Sequence, residues 1–514
     1  MTGWGGPNLG EPGRNARRRG RGLGLRRLVL PLLFVAALPV LADPVAGYGH
    51  FGSGLATSGQ SGSGLASSAQ PAPPREAAPP RLVFNLSSGL TYDDNPDLKN
   101  PASGAGTRLD TRLGLVLNQS TRISSFTLSL DGLLRAGSGG TGSGGTGANA
   151  NGFREPAVKL GYKADTGNTK VTVDLADQQS PVDVFKPVTL PDGSLSATDL
   201  AAATGTVTHQ QAGFTVKTGV ERPLGFDLSG NYDARLYSDA NATTIYDSHV
   251  RSGQAALHWR LDGVSTVSLT ANASATDYAN TAATRQRSQD VSLGYDRLLR
   301  PDLTLQVSLG NSTASATSGG VTTKRSAGFT GSLGLVQKQA GGQASVTLAS
   351  SRDALGPRTT LSFGRSLALP TGSFSATAGV STRKGAAGQL VGSLAYTQVL
   401  PTDTLGLNLS RQIGLDASNN DQASTVVEMN WQHKVNDVSS LGLSLSVAAT
   451  SGAGGAGVAS TSRQTLGATW SHDLAQDWQL SAGYQHRVLD QQSAASITSN
   501  SVFMTISRKL TLLQ

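Results

Sequence analysis

Four polar side chains with ligand or acid/base capacity fall within five positions in the stretch "YDDNPD": Asp93, Asp94, Asn95 and Asp97. Read as a calcium loop from Asp93, the spacing puts Asp93, Asn95 and Asp97 at ligand positions. Position six is then Leu98, where a glycine is needed for the turn, and position twelve is Gly104, where a bidentate glutamate is needed. Read as an acid pair, the cluster lacks a second carboxylate held across a cleft. Asn95-Pro96 starts a turn, so the segment reads as the polar end of a strand.

Other candidate chemistry is sparse. His209, His249, His258, His433, His472 and His486 are spread along the chain, without an H-E-x-x-H pair or a G-x-S-x-G setting that would activate a nucleophile. His433 and His472 read as structural residues near strand ends. The absence of cysteine excludes disulfides, thiolate metal sites and thiol nucleophiles. The expectation is a protein without catalytic residues, metal or cofactor.

The elements that carry these residues are strands. From Arg81 onward, stretches of about ten residues place an apolar side chain at every second position, the period of a strand. "RLGLVLNQST" puts Leu113, Leu115 and Leu117 on one face and Arg112, Gly114 and Asn118 on the other. The links between stretches alternate in length. Ten tight links, such as Arg222–Gly225 and Gln476–Asp477, separate eleven longer ones, including 94–107, 138–154, 185–204, 316–323, 352–358, 415–423 and 450–463. A soluble sandwich has no reason to sort its turns by length, whereas a barrel crossing a membrane does. The spacing therefore predicts an all-β fold, a transmembrane up-and-down antiparallel β-barrel of roughly 20–22 strands, with long links outside the cell and tight turns in the periplasm.

Composition agrees with a protein that has no solid core. The apolar share is 38% and aromatics make up 5% of the chain, against about 45–50% apolar residues in packed soluble domains. In such a barrel the Leu/Val/Phe/Ala face meets lipid and the Ser/Thr/Gly/charged face lines the interior. Tyr162, Tyr232, Tyr295, Tyr396, Trp431, Trp470 and Tyr484 fall on the apolar faces, several near strand ends, as a headgroup girdle requires. The candidate lumen-lining residues are Arg112, Arg135, Lys159, Lys163, Lys217, Arg235 and Arg260, with Asp110, Asp131, Asp233 and Glu428. Both signs are present, so solute width and hydrogen bonding rather than charge should discriminate. The links 138–154 and 185–204 are the candidates to fold inward.

Residues 1–42 read as a signal peptide, because seven arginines precede the apolar run "LVLPLLFVAALPVLA". That run is short and broken by Pro31 and Pro39, and a spanning helix needs about 20 apolar residues. Removing residues 1–42 takes seven Arg and one Glu, leaving 35 basic and 33 acidic residues, a net charge of +2. The basic balance thus belongs to the leader, and no nucleic-acid surface is implied. Residues 43–80, rich in Gly, Ser, Ala and Pro, read as a flexible periplasmic linker too short to form the folded plug of an energy-coupled uptake receptor. The barrel is then 81–514.

A leader, a flexible lead and a first strand closing on Y-D-D-N resemble the β-barrel porins and related outer-membrane barrels of Gram-negative bacteria, some encoded beside polysaccharide-export systems. The sequence-specific part of the resemblance runs from Gly89 to Asp97. One departure is the chain end, "SVFMTISRKLTLLQ", which carries Phe503 well inside where many such barrels end on an aromatic residue. The resemblance implies a cell outer membrane protein exported through the general secretion route. Its partners would be outer-membrane lipid and lipopolysaccharide, the barrel assembly machinery, and a polysaccharide-export or envelope partner. The function implied is a passive polar pore or export conduit for polysaccharide or small solutes; the alternative is a non-transporting surface scaffold.

Overall fold

The computed structural model describes residues 78–513, except 103, 140–150, 183–194, 196–199, 201–204, 239–244, 454–459 and 493–494. Residues 1–42, read above as a signal peptide, and nearly all of 43–80, read as a linker, lie outside the described residues.

The described residues form 22 strands in one sheet. The first eleven are β1 (Ala78–Asp93), β2 (Gly106–Ser120), β3 (Ser124–Gly139), β4 (Gly152–Asp165), β5 (Thr169–Pro181), β6 (Thr206–Thr218), β7 (Leu224–Ser238), β8 (Ser248–Arg260), β9 (Ser265–Tyr278), β10 (Arg285–Arg300) and β11 (Leu303–Ser318). The rest are β12 (Val321–Gln339), β13 (Gly342–Asp353), β14 (Gly356–Leu369), β15 (Gly372–Arg383), β16 (Gln389–Val399), β17 (Asp403–Leu415), β18 (Asp421–Asn436), β19 (Ser439–Gly452), β20 (Thr461–Ala475), β21 (Trp478–Gln491) and β22 (Ile497–Leu513). Each strand pairs antiparallel with the next. The ring closes where β1 pairs with β22, from Leu82 opposite Leu513 to Asp93 opposite Ser501. Closure leaves no unpaired edge, the condition for a sheet to sit in hydrocarbon.

Alternation sets the two faces. Leu113, Leu115 and Leu117 lie beside Leu86, Phe84 and Leu82 of β1, and Leu115 and Leu117 lie beside Leu130 and Leu128 of β3. Further round, Leu257, Leu269, Leu293 and Leu309 line up across four strands. These side chains are exposed, Leu309 at 71%. An apolar band that faces outward all round a closed sheet is stable only in lipid. The chain is therefore an all-β, up-and-down barrel of the outer-membrane class. Its interior has no solid core; buried apolar residues form clusters of two or three, such as Leu98, Leu489 and Ile497.

Three details depart from the periodicity. β1 begins at Ala78, three residues before Arg81. Strands run from 11 residues in β16 to 19 in β12, longer than the roughly 9–11 residues needed to cross hydrocarbon. Two of the links read as long are two-residue turns: Gly319-Gly320 joins β11 to β12, and Ala354-Leu355 joins β13 to β14. Gly319 and Gly320 both have positive φ, 58° and 80°, as a mirror-type hairpin turn demands. The polar stretches 316–318 and 321–323 continue as strand beyond the bilayer. No lipid contacts them there, so no apolar alternation marks them in the sequence.

Candidate functional site

The lumen is the candidate site, and its two ends are built differently. The start of β1, the end of β22 and the tight turns share one end; the longer links, with the Gly319-Gly320 and Ala354-Leu355 turns, share the other. At the long-link end the YDDN segment locks the seam between the first and last strands. Asp93 is the last residue of β1 and Asp94 the first beyond it, and the two carboxylates take different partners. Asp93, 2% exposed, accepts from Arg487 Nη2 at 2.6 Å and from Ser499 Oγ at 2.8 Å. Asp94 accepts from the Asn500 backbone N–H and from its Nδ2, both at 2.7 Å. Asn95 Nδ2 donates to the carbonyls of Lys99 and Thr498, each at 2.9 Å, while its Oδ1 accepts the Lys99 N–H at 3.1 Å. The carboxylates are thus spent on the closing strand and do not converge as metal ligands. The segment is at the end of β1, yet its polar groups are buried rather than wet. Beside it Gly89 leaves room for β22, since a Cβ there would lie 2.3 Å from Thr505 Oγ1.

Next to the seam, inner-face residues of β2, β3 and β4 form an ion-pair network. Arg135 Nε and Nη2 donate to the two carboxylate oxygens of Asp110 at 2.6 and 2.8 Å, a two-pronged geometry that fixes both partners. Glu155 accepts from Arg135 at 3.3 Å and from Arg112 at 2.6 Å. Farther round, Asp233 accepts from Gln211 Nε2 at 3.1 Å, contacts His209 Nε2 at 2.7 Å and pairs with Arg235 at 3.1 Å; Arg235 is fully buried. A third network joins Arg358 and Arg383 to Asp353 and Asp421.

Two segments reach across. Leu195 and Leu200, in the link between β5 and β6, pack on Ala448 and Val426 of β19 and β18, roughly opposite in the 22-strand ring. The Leu195 N–H donates to Ser424 Oγ at 2.9 Å, and Gln422 Nε2 donates to the Leu195 carbonyl at 2.9 Å. Arg463 of β20 donates to the Val182 carbonyl at 3.4 Å. The second segment is 416–420, between β17 and β18. Gln286 Nε2 donates to the Asp416 carbonyl at 2.8 Å, and Lys324 Nζ to the Asn419 carbonyl at 2.9 Å. Of the link 185–204, read in the sequence as a candidate to fold inward, only Leu195 and Leu200 are among the described residues, and the partners of Leu195 lie more than 200 residues away. The link 138–154 is outside the described residues from 140 to 150.

The other lumen candidates take these positions. Asp131 shares the inner face of β3 and lies opposite Gly114. Lys159 and Lys163 are exposed on the same face of β4, toward the tight-turn end. Lys217 pairs with Asp227 at 3.3 Å. Arg260 sits at the rim, where it donates to the carbonyls of Val220 and Arg222 at 2.6 and 2.9 Å and steadies the β6–β7 turn. Glu428 lies on the inner face of β18, one inward position from Val426 and so next to the crossing link. His433 and His472 face outward near the tight-turn end. His433 stacks on Trp431 and shares Asp403 with it; His472 stacks on Trp470 and bonds Ser439 at 2.8 Å. In the β8–β9 turn, the Val264 N–H donates to Asp262 at 2.8 Å and holds that carboxyl below the ordinary carboxylate range.

Comparisons with known proteins extend to fold. No protein-family profile matches the chain, and no curated protein matches it. Among solved structures it is similar to the siderophore receptor PiuA from Acinetobacter baumannii, with a TM-score of 0.51 and 10% identity over 83% of this chain and 82% of that one. The FrpB iron transporter from Neisseria meningitidis gives a TM-score of 0.49 and 9% identity, over 84% of this chain and 82% of that one. The first of these shares the barrel fold with this chain.

Proposed function

We propose that the barrel carries small polar solutes across the outer membrane by diffusion through its lumen, narrowed where Leu195 and Leu200 meet the far wall. The observation that carries this reading is the placement of Leu195 and Leu200, which lie against the far side of a polar, mixed-charge wall and are held there through Ala448, Val426 and Gln422. One solved structure with the same fold is a siderophore receptor, which supports transport as the task. A polysaccharide chain would need the crossing to swing aside, so small solutes fit the described lumen better. The reading assigns no catalytic chemistry to the barrel and takes the tight-turn end as periplasmic. Swelling of liposomes that hold the full-length protein, challenged with sugars of increasing size, tests it. Entry of small sugars with a sharp size cutoff is expected. No entry of any sugar would move the assignment to an envelope scaffold. An impermeant thiol reagent on intact cells tests the orientation: Gly319→Cys should react and Gln476→Cys should not.

A further inference from the structure

An arginine on the lipid face of a barrel is strongly unfavourable near the midplane and tolerated only near the interfaces. The outer face of β8–β12 nevertheless carries a row of them. Arg251 lies opposite Ala275, Ala275 opposite Arg287, Arg287 opposite Ser315, and Ser315 opposite Arg325. Arginine thus recurs on every second strand, with small residues between. Adjacent strands are about 4.8 Å apart, so neighbouring arginines of the row are roughly 10 Å apart and the outer two about 19 Å. All three are exposed, and among the described residues none makes a hydrogen bond or ion pair. Asp277, the carboxylate two residues beyond Ala275 on this face, is already bound by Arg285.

Height along the strand places the row. Trp259, Val267, Tyr295 and Val307 form one cross-strand rung near the tight-turn end. Arg287 is eight residues from Tyr295, roughly 27 Å along the strand and about 20 Å along the membrane normal at a tilt near 40°. The aromatic rung and the arginine row therefore bracket the apolar band at opposite interfaces. Directly below the row the rung is Gly253, Ala273, Gln289, Thr313 and Ala327. Between Arg251 and Arg287 this leaves a shallow recess of about 360 Å³, lined by Gly253, Ala273, Ala275 and Gln289 among others.

We propose that this row binds the phosphorylated headgroup of an outer-leaflet glycolipid, with an acyl chain laid over the small residues beneath. Three guanidinium groups free of protein carboxylates match phosphate geometry, which arginine meets with two parallel N–H donors. The proposal rests on the orientation taken above and not on conduction, so lipid binding can fail while solute passage stays intact, and the reverse.

The test is lipid binding to the full-length protein in zwitterionic nanodiscs, read by native mass spectrometry and by the shift in unfolding temperature. The probes are bisphosphorylated lipid A, the same lipid dephosphorylated, and inorganic phosphate. The wild type should retain the bisphosphorylated lipid and neither of the others. Arg251→Gln/Arg287→Gln/Arg325→Gln should weaken it roughly a hundredfold and Arg287→Gln alone about fivefold, the scale for basic side chains at an anionic leaflet. Arg297→Gln, on the same face at the other end of β10, should bind as the wild type does. Undiminished binding by both the triple and the single variant would overturn the proposal. So would equal retention of the dephosphorylated lipid, which would mean acyl contact only, or occupancy by inorganic phosphate alone.

Discussion

The tight-turn end and the long-link end of this barrel use the same alternating strands for different purposes. At the tight-turn end the inner face carries exposed lysines, Lys159 and Lys163, and simple pairs such as Lys217 with Asp227. At the long-link end the cations are buried arginines, Arg235 at 0%, Arg487 at 6% and Arg463 at 7% exposure, held by Asp233 on the same strand, by Asp93 of β1 and by the Val182 carbonyl respectively. Lysine keeps its own water and leaves a pore wall soft, whereas the planar fork of arginine ties several strands together. One end is therefore a wall and the other a lattice, and Leu195 and Leu200 are fastened at the lattice end.

Removing a lattice arginine should have the largest effect. Arg487→Met leaves Asp93 buried and unpaired beside the closing strand, at a cost of about 3–5 kcal/mol, measurable by urea unfolding in detergent. Adding Asp93→Asn should recover much of that loss; a cost under about 1 kcal/mol for the single change would mean that the seam does not depend on this pair. The face assignment comes next. Leu115→Arg places a charge on the lipid face among Phe84 and Leu130 and should cost about 2–4 kcal/mol, while Asn118→Arg on the inner face should cost under about 1. Equal costs would contradict the assigned faces.

How far the sequence speaks follows the same division. Inside the bilayer, lipid on one side and water on the other write an alternation into every strand, so Leu113, Leu115 and Leu117 could be placed, and the strand number with them. Beyond the bilayer both faces are wet. There the extension of β11 and β12 to a Gly319-Gly320 turn read as loop. The YDDN segment stood out in the sequence, but its partners Arg487, Ser499 and Asn500 are about 400 residues away, and only ring closure brings them near. The anchors Gln422 and Ser424 carry no local signal, because a buried glutamine and serine look like any polar pair on an inner face.

Smaller effects sharpen the contrast at the tight-turn end. Lys159→Gln/Lys163→Gln removes two exposed inner-face charges and should change stability by under about 1 kcal/mol, while the reversal potential in a salt gradient shifts toward cations; no shift would mean that ions do not pass this wall. The smallest effect concerns acid. The Asp262 carboxyl is held below its ordinary value by the Val264 N–H. Its contribution is present above the ordinary carboxylate value and is lost as pH falls through the lowered one, in the region below about pH 4. Asp262→Asn should therefore lower the unfolding temperature slightly at neutral pH and leave it unchanged at strongly acid pH. The opposite order would reverse the sign.

The most direct test of the account compares single-channel conductance in planar bilayers for the wild type and for Leu195→Ser/Leu200→Ser. These changes release the crossing link from Ala448 and Val426 without touching the strand ladder. A small, steady conductance in the wild type and a larger, noisier one in the variant are the predicted result. Identical conductances would show that the link does not limit passage, and silence from both would contradict the account of the lumen as a conduit.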